Sequence, residues 1–197
     1  MNQLIDKIQF EDLAACDPKD VTQRTQALYD EKKGSYLIRI WNSTYEVTPG
    51  HCSIKPQGKG HSTHRDYLYL FILHYLMKAR NISLSGQWVS EKDLIGGAGF
   101  FRGPHTLPTQ LLAQAFGQDL SAFLTAGKRL GGKPLSMADA AFVFEITPQI
   151  PVAVLLWLGD EEFESRSKLL FDKTIDRHLA LDIVYALAVE VCHAFII

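Results

Sequence analysis

The stretch whose reading decides the fold is Ala140–Leu158, AAFVFEITPQIPVAVLLWL. Two runs rich in β-branched, aromatic and other apolar residues, Ala140–Ile146 and Val152–Leu158, flank a turn bounded by Pro148 and Pro151. Such residues suit a pleated surface, and proline cannot donate to a central ladder, so the pattern predicts two strands with TPQIP as their connection. VAVLLWL has no polar alternation and reads as a buried strand with apolar neighbours on both faces. Upstream, Ser35–Trp41 and Thr44–Thr48 predict a second hairpin across Asn42-Ser43.

The remaining periodic segments predict helices. Residues 1–15 read as helical, and Asp17 followed by Pro18 marks an N-cap with proline at the first helical position, opening a helix expected to reach Tyr29. Pro49–Thr63 reads as a loop, and residues 65–80 as a central helix apolar on nearly every side. Ser90–Asp93 resembles a capping box for a short helix closed by Gly96-Gly97. Thr106 is expected to cap a helix ending at Gly117, and Asp119 to open one ending at Gly131-Gly132. Glu161–Phe171 reads as helical behind Asp160, and a last helix begins near Asp176. The expected class is α+β: a single domain over residues 1–197, with a small antiparallel sheet of hairpins covered by helices and a long C-terminal helix.

Composition bounds the function. The chain has 197 residues, 20 basic against 22 acidic side chains, and is 47% hydrophobic, which excludes a disordered segment and argues against a nucleic-acid binder. The near-neutral total hides an uneven distribution: net 0 over residues 1–60, +4 over 61–135 and −6 over 136–197. Cys16, Cys52 and Cys192 are few, odd in number and far apart, which fits a reduced, cytoplasmic setting rather than a disulfide scaffold. No CxxC pair is present, and the opening MNQLIDKIQFED lacks the apolar core of a signal peptide. Tyr67–Met77 is too short to span a bilayer, and Leu179–Ile197 carries Asp182 and Glu190, so no membrane span is expected.

Three segments, Phe10–Val21 (FEDLAACDPKDV), Gly96–Pro108 (GGAGFFRGPHTLP) and Pro148–Asp172 (PQIPVAVLLWLGDEEFESRSKLLFD), carry a resemblance. In content and order they are similar to an uncharacterised bacterial and archaeal domain-of-unknown-function family, some members of which are labelled iron–sulfur proteins. The resemblance implies that this label belongs to relatives carrying a neighbouring cysteine-rich module of the corrinoid iron–sulfur type. What it implies here is a domain without an assigned activity, in the context of corrinoid or one-carbon metabolism.

Among the residues themselves, Gly96–His105 is the leading candidate site. Gly97 and Gly99 let backbone N–H groups approach a ligand, Arg102 supplies a planar cation, and His105 precedes a helix N-terminus, where unpaired N–H groups favour an anion. Phe100 and Phe101 would wall a planar ring. The competing structural reading makes the same residues a turn, with the Phe pair in the core and Arg102 on a carboxylate. A second group, His51, His61, His64 and His74 beside Cys52, offers metal-ligand chemistry without a standard ligand spacing, so no metal is assigned. A third, Asp160–Glu164, follows the buried strand; Asp160 and Glu162 are its candidate acid pair, and the same acids equally suit the first turn of a helix.

The expected function is therefore that of an accessory or binding domain for a small anionic organic ligand or cofactor of unknown identity. Two alternatives stand beside it. One is an enzyme combining His105 and Arg102 with carboxylates of Asp160–Glu164; the other is a protein-interaction module that forms a homodimer.

Overall fold

The computed structural model describes residues 4–58 and 65–196. Two antiparallel sheets form, where one was expected. The first contains β1 (Leu28–Asp30), β2 (Ser35–Ile40), β3 (Ser43–Thr48) and β4 (Ser53–Gln57) in the order β1-β2-β3-β4. The second contains β5 (Trp88–Val89), β6 (Lys133–Pro134), β7 (Ala140–Thr147), β8 (Ile150–Trp157) and β9 (Arg166–Asp172) in the order β5-β9-β8-β7-β6. With them go α1 (Lys7–Ala14), α2 (Pro18–Thr25), α3 (Asp66–Lys78), α4 (Gly97–Phe100), α5 (Thr109–Phe116), α6 (Leu120–Arg129) and α7 (Leu181–Ile196). The class is α+β with a long C-terminal helix.

The β7–β8 hairpin forms with β8 central, but its turn is shorter than TPQIP: Thr147 ends β7, and Ile150 and Pro151 already lie in β8, with Pro151 opposite Glu145 beside an irregularity in the register. Val152, Val154 and Leu156 point into the main core, while Ala153 and Leu155 join Trp88, Leu135, Val143, Trp157 and Leu170 on the opposite face. Apolar cover on both faces is why VAVLLWL lacks polar alternation. Helices α5 and α6 pack on the main-core face, and α7 lies between them and α3. No helix among the described residues is long and apolar enough to cross a membrane.

Three segments that bear on the sheets depart from expectation. Asp160 does accept N–H groups of Glu162 and Phe163, as an N-cap would, but its own N–H donates to the Phe163 carbonyl (2.9 Å) and closes a turn. The chain returns as β9, with Ser167, Leu169 and Phe171 buried against exposed Arg166 and Lys168, a period of two and not of 3.6. The α2 helix stops at Thr25 because Gln26 takes a left-handed conformation (φ 60°), which releases Leu28–Asp30 to pair with β2. Within the expected loop 49–63, Ser53–Gln57 is a strand; Pro56 is tolerated because β4 is an edge.

The β2–β3 turn joins the two sheets. Trp41 sits at its tip with φ 54°, a conformation that costs a bulky residue about 1–2 kcal/mol. Three contacts hold it: its N–H donates to the Ile146 carbonyl (2.7 Å), its indole Nε1 donates to the Leu130 carbonyl (2.8 Å), and its ring lies 5.0 Å from that of Phe144.

Candidate functional site

The Gly97–His105 segment is not one open loop. Gly97–Phe100 forms the α4 turn and Gly103–His105 a 3-10 turn, and α5 begins at Thr109 with Pro108 at its N-cap, so Thr106 is not the cap expected. Phe101 is buried, and Phe100 stacks on His105 with ring centroids 4.4 Å apart and planes 14° from parallel. His105 also meets the Tyr185 ring edge-on at 5.6 Å, and Tyr185 donates its hydroxyl to the Pro104 carbonyl (3.3 Å). One face of Phe100 is thus filled by His105. Arg102 and His105 are exposed, and Arg102 has no ion-pair partner among the described residues.

The glycines of this ledge differ in their reasons. A Cβ at Gly97 would lie 2.0 Å from the Glu91 carbonyl oxygen, whereas one at Gly99 meets open space. Gly97→Ala is therefore expected to cost about 1–3 kcal/mol, a fall of several degrees in Tm, from overpacking against backbone. Gly99→Ala should lie within about 0.5 kcal/mol of the parent. Thermal melts of the two variants check the contrast; equal losses would mean that Gly97 is not held by packing.

Of the histidine group, His51 is exposed in the turn after β3, beside exposed Cys52. His74 lies mid-helix, half-buried, with Nε2 3.5 Å from the Gln9 amide, and burial lowers its pKa. His61 and His64 lie outside the described residues. Among the described residues no three His, Cys, Asp or Glu side chains are disposed to hold a metal ion.

Asp160 and Glu162 are exposed beside a cleft of about 680 Å³ between α5 and the β8–β9 connection; Asp160 lines it, and Glu162 lines a neighbouring one. Asp160 is held below its ordinary pKa by the N–H groups of Phe163 and Glu162. Neither cleft lined by Asp160 is lined by Arg102 or His105, so the described clefts do not unite the two halves of the expected enzyme site.

Sequence reasoning missed a third place. Where both sheets meet α3, α6 and α7, a cleft of about 340 Å³ is lined by Trp41, Tyr45, Arg65, Arg129 and Glu190, by Asn42 and Ser43 of the β2–β3 turn, and otherwise by apolar residues. Glu190 is 8% exposed and pairs with Arg65, Nε to Oε2 3.2 Å. Burial raises its pKa, and Arg65 and His193 offset part of that rise. Arg129, at the end of α6, donates from Nη2 to the carbonyls of Ala194 (3.2 Å) and Phe195 (3.4 Å), which lie in the last turn of α7. It has no carboxylate partner among the described residues. Two guanidiniums against one carboxylate leave this lining with one positive charge in excess. A mostly apolar concavity with a few convergent polar groups, one of them a buried carboxyl with a raised pKa, is the physical profile of a ligand site.

A model of the family described as Domain of unknown function (DUF3786) matches residues 17–194. No curated protein and no solved structure matches the chain.

Proposed function

The chain belongs to the DUF3786 family, whose description assigns no activity, and we propose that it is a binding domain for a small organic anion held in the Arg65–Arg129–Glu190 cleft. The observation that carries the reading is Arg129: it lines a mainly apolar cleft and has no carboxylate partner among the described residues. Arg65 and Glu190 neutralise each other, so a monoanion with an apolar body completes the charge balance, its carboxylate on Arg129 and its body against Leu68, Leu130, Ile146, Leu187 and Val191. The strained Trp41 turn forms part of the wall. Strain of that kind collects where the surrounding structure over-determines a site.

This keeps the ligand class expected from the sequence and moves its place. Arg102 and His105 offer a second anion-binding surface, though a more open one than the cleft. The resemblance supplies a context for such a ligand, corrinoid or one-carbon metabolism, in which this domain would serve a catalytic partner.

Ligand-observed NMR with a panel of C4–C8 alkanoates and benzoate tests the reading. Binding is expected to the parent and to Arg102→Gln, and to fall at least about tenfold in Arg129→Gln. Arg129→Lys, which keeps the charge and donors to the α7 carbonyls, should retain part of it. Unchanged binding by a folded Arg129→Gln overturns the assignment; loss in Arg102→Gln alone transfers it to the ledge.

A further inference from the structure

The cleft between α5 and the β8–β9 connection differs in character from the Arg129 cleft. Asp139, Asp160 and Glu164 line it, and the adjoining depression, which shares Asp160, Phe163 and Glu164, adds Glu161 and Glu162. Against these five carboxylates stand Arg166 and Lys168, so the combined lining carries a net charge of −3. Glu161, Glu162 and Glu164 are exposed and have no ion-pair partner among the described residues.

Two further observations point to an occupant. Phe163 is 60% exposed in the middle of this acidic run, and the half-buried Trp157 provides a second aromatic wall. Ser167, 9% exposed, lines the same cleft, and its hydroxyl is buried with no hydrogen-bond partner. A buried hydroxyl without a partner costs free energy unless something that enters the cleft satisfies it. An aromatic face beside carboxylates is the complement of a lysine or arginine side chain, whose apolar stem covers a ring while its charged head meets the acids.

We infer that this cleft docks an extended basic segment of a partner protein, with a lysine or arginine stem across Phe163, its cationic head among Glu161, Glu162 and Glu164, and a donor on Ser167. Electrostatic complementarity of this kind sets orientation and partner choice and weakens as salt rises. The Arg129 cleft, lined by other residues, is left free for its anion while the segment is bound.

The test uses a fluorescein-labelled twelve-residue peptide with lysine at every third position, and its glutamine counterpart, in fluorescence anisotropy against the full chain. The lysine peptide is expected to bind saturably and the glutamine peptide not to bind. The variant Glu161→Gln/Glu162→Gln/Glu164→Gln should weaken binding at least about tenfold, and Phe163→Ser several-fold at unchanged charge. Ser167→Ala gives the sharpest readout, since it should bind more weakly while its Tm holds or rises, the buried orphan having been removed. Equal binding by the parent and the triple variant overturns the proposal, as does indifference to Phe163→Ser. A dimer of the chain alone that the triple variant dissociates would assign the cleft to a second copy and equally overturn it.

Discussion

Asp172→Ala is expected to destabilise the protein by about 3–5 kcal/mol, the loss of a buried charge-assisted network. The residue ends β9, is 4% exposed, and accepts five hydrogen bonds: from Ser85 N (3.1 Å) and Oγ (2.9 Å), Gly86 N (2.8 Å), and Thr174 N (3.0 Å) and Oγ1 (2.7 Å). These bonds matter because residues 79–87, between α3 and β5, contain no helix or strand. The segment is tied down by two side chains and one backbone bond instead. His178 accepts the Arg80 N–H on Nδ1 (3.2 Å), Asp172 holds Ser85 and Gly86, and Lys173 donates its N–H to the Gln87 carbonyl (2.9 Å). Truncating Asp172 leaves several donors without an acceptor and loosens the segment that leads into β5. Urea denaturation measures the loss, and trypsin cleavage at Arg80 should accelerate in the variant. Burial alone would raise the Asp172 pKa, but the hydrogen bonds from Thr174 and Ser85 outweigh it and hold the carboxyl down to about 2. The folded value thus lies below the ordinary one near 3.9, so the contribution is complete above about pH 4 and is lost as pH falls towards 2. Asp172→Asn should be flatter than the parent over that acid window. If the two acid titrations run parallel, the network does not stabilise the fold.

The elements legible in the sequence were those whose signal is local. Asp17-Pro18 opens α2 with the Asp17 carboxylate accepting the Lys19 N–H, and Asp119 caps α6 by accepting the Ala122 N–H, as residue type and position imply. The β2–β3 and β7–β8 hairpins follow in the same way from runs of β-type residues on either side of turn residues. The β9 strand was misread because Asp160 supplies a genuine capping carboxylate, and that local signal outranked the alternation of Ser167, Leu169 and Phe171 a few residues on. β4 was hidden by the Gly, Lys and His content of 49–63, and its Pro56 is tolerated because β4 is an edge. The ledge was read by its glycines as a ligand approach, whereas the tightest requirement, at Gly97, is the Glu91 carbonyl packed beneath it. The Arg65–Glu190 cleft had no local signal at all. Glu190 entered the reading only as a charge that argues against a membrane span, and its partner stands 125 positions earlier in the chain. The one hint was a single carboxylate inside the apolar run VYALAVEVCHAF, a position that a buried helix fills only when a cation waits opposite.

That pairing gives the second large effect. Arg65→Leu is expected to cost about 3 kcal/mol at neutral pH, because it strands a carboxylate that is 8% exposed. The double variant Arg65→Leu/Glu190→Leu should recover most of the loss, since two apolar side chains in a cleft walled by Leu68, Leu187 and Val191 need no charge partner. The pH dependence separates this from a mere packing defect. Burial raises the Glu190 pKa above its ordinary value, and Arg65 counteracts that rise. A carboxyl whose folded pKa is raised favours the folded state while protonated, and that favour is lost as pH climbs through the folded value. Removing Arg65 removes the counteracting charge, so the folded pKa moves higher still and the loss extends further towards neutrality. The deficit of Arg65→Leu relative to the parent should therefore be small near pH 4.5 and grow up to about pH 7, while the double variant stays flat. Urea midpoints at four or five pH values check both slopes. A deficit of equal size at every pH would mean that the cost is lost packing of the arginine stem and that Glu190 carries no buried charge. It would also take away the charge balance on which the anion site at Arg129 depends, because an uncharged Glu190 leaves the cleft with two positive charges in excess and suits a dianion instead.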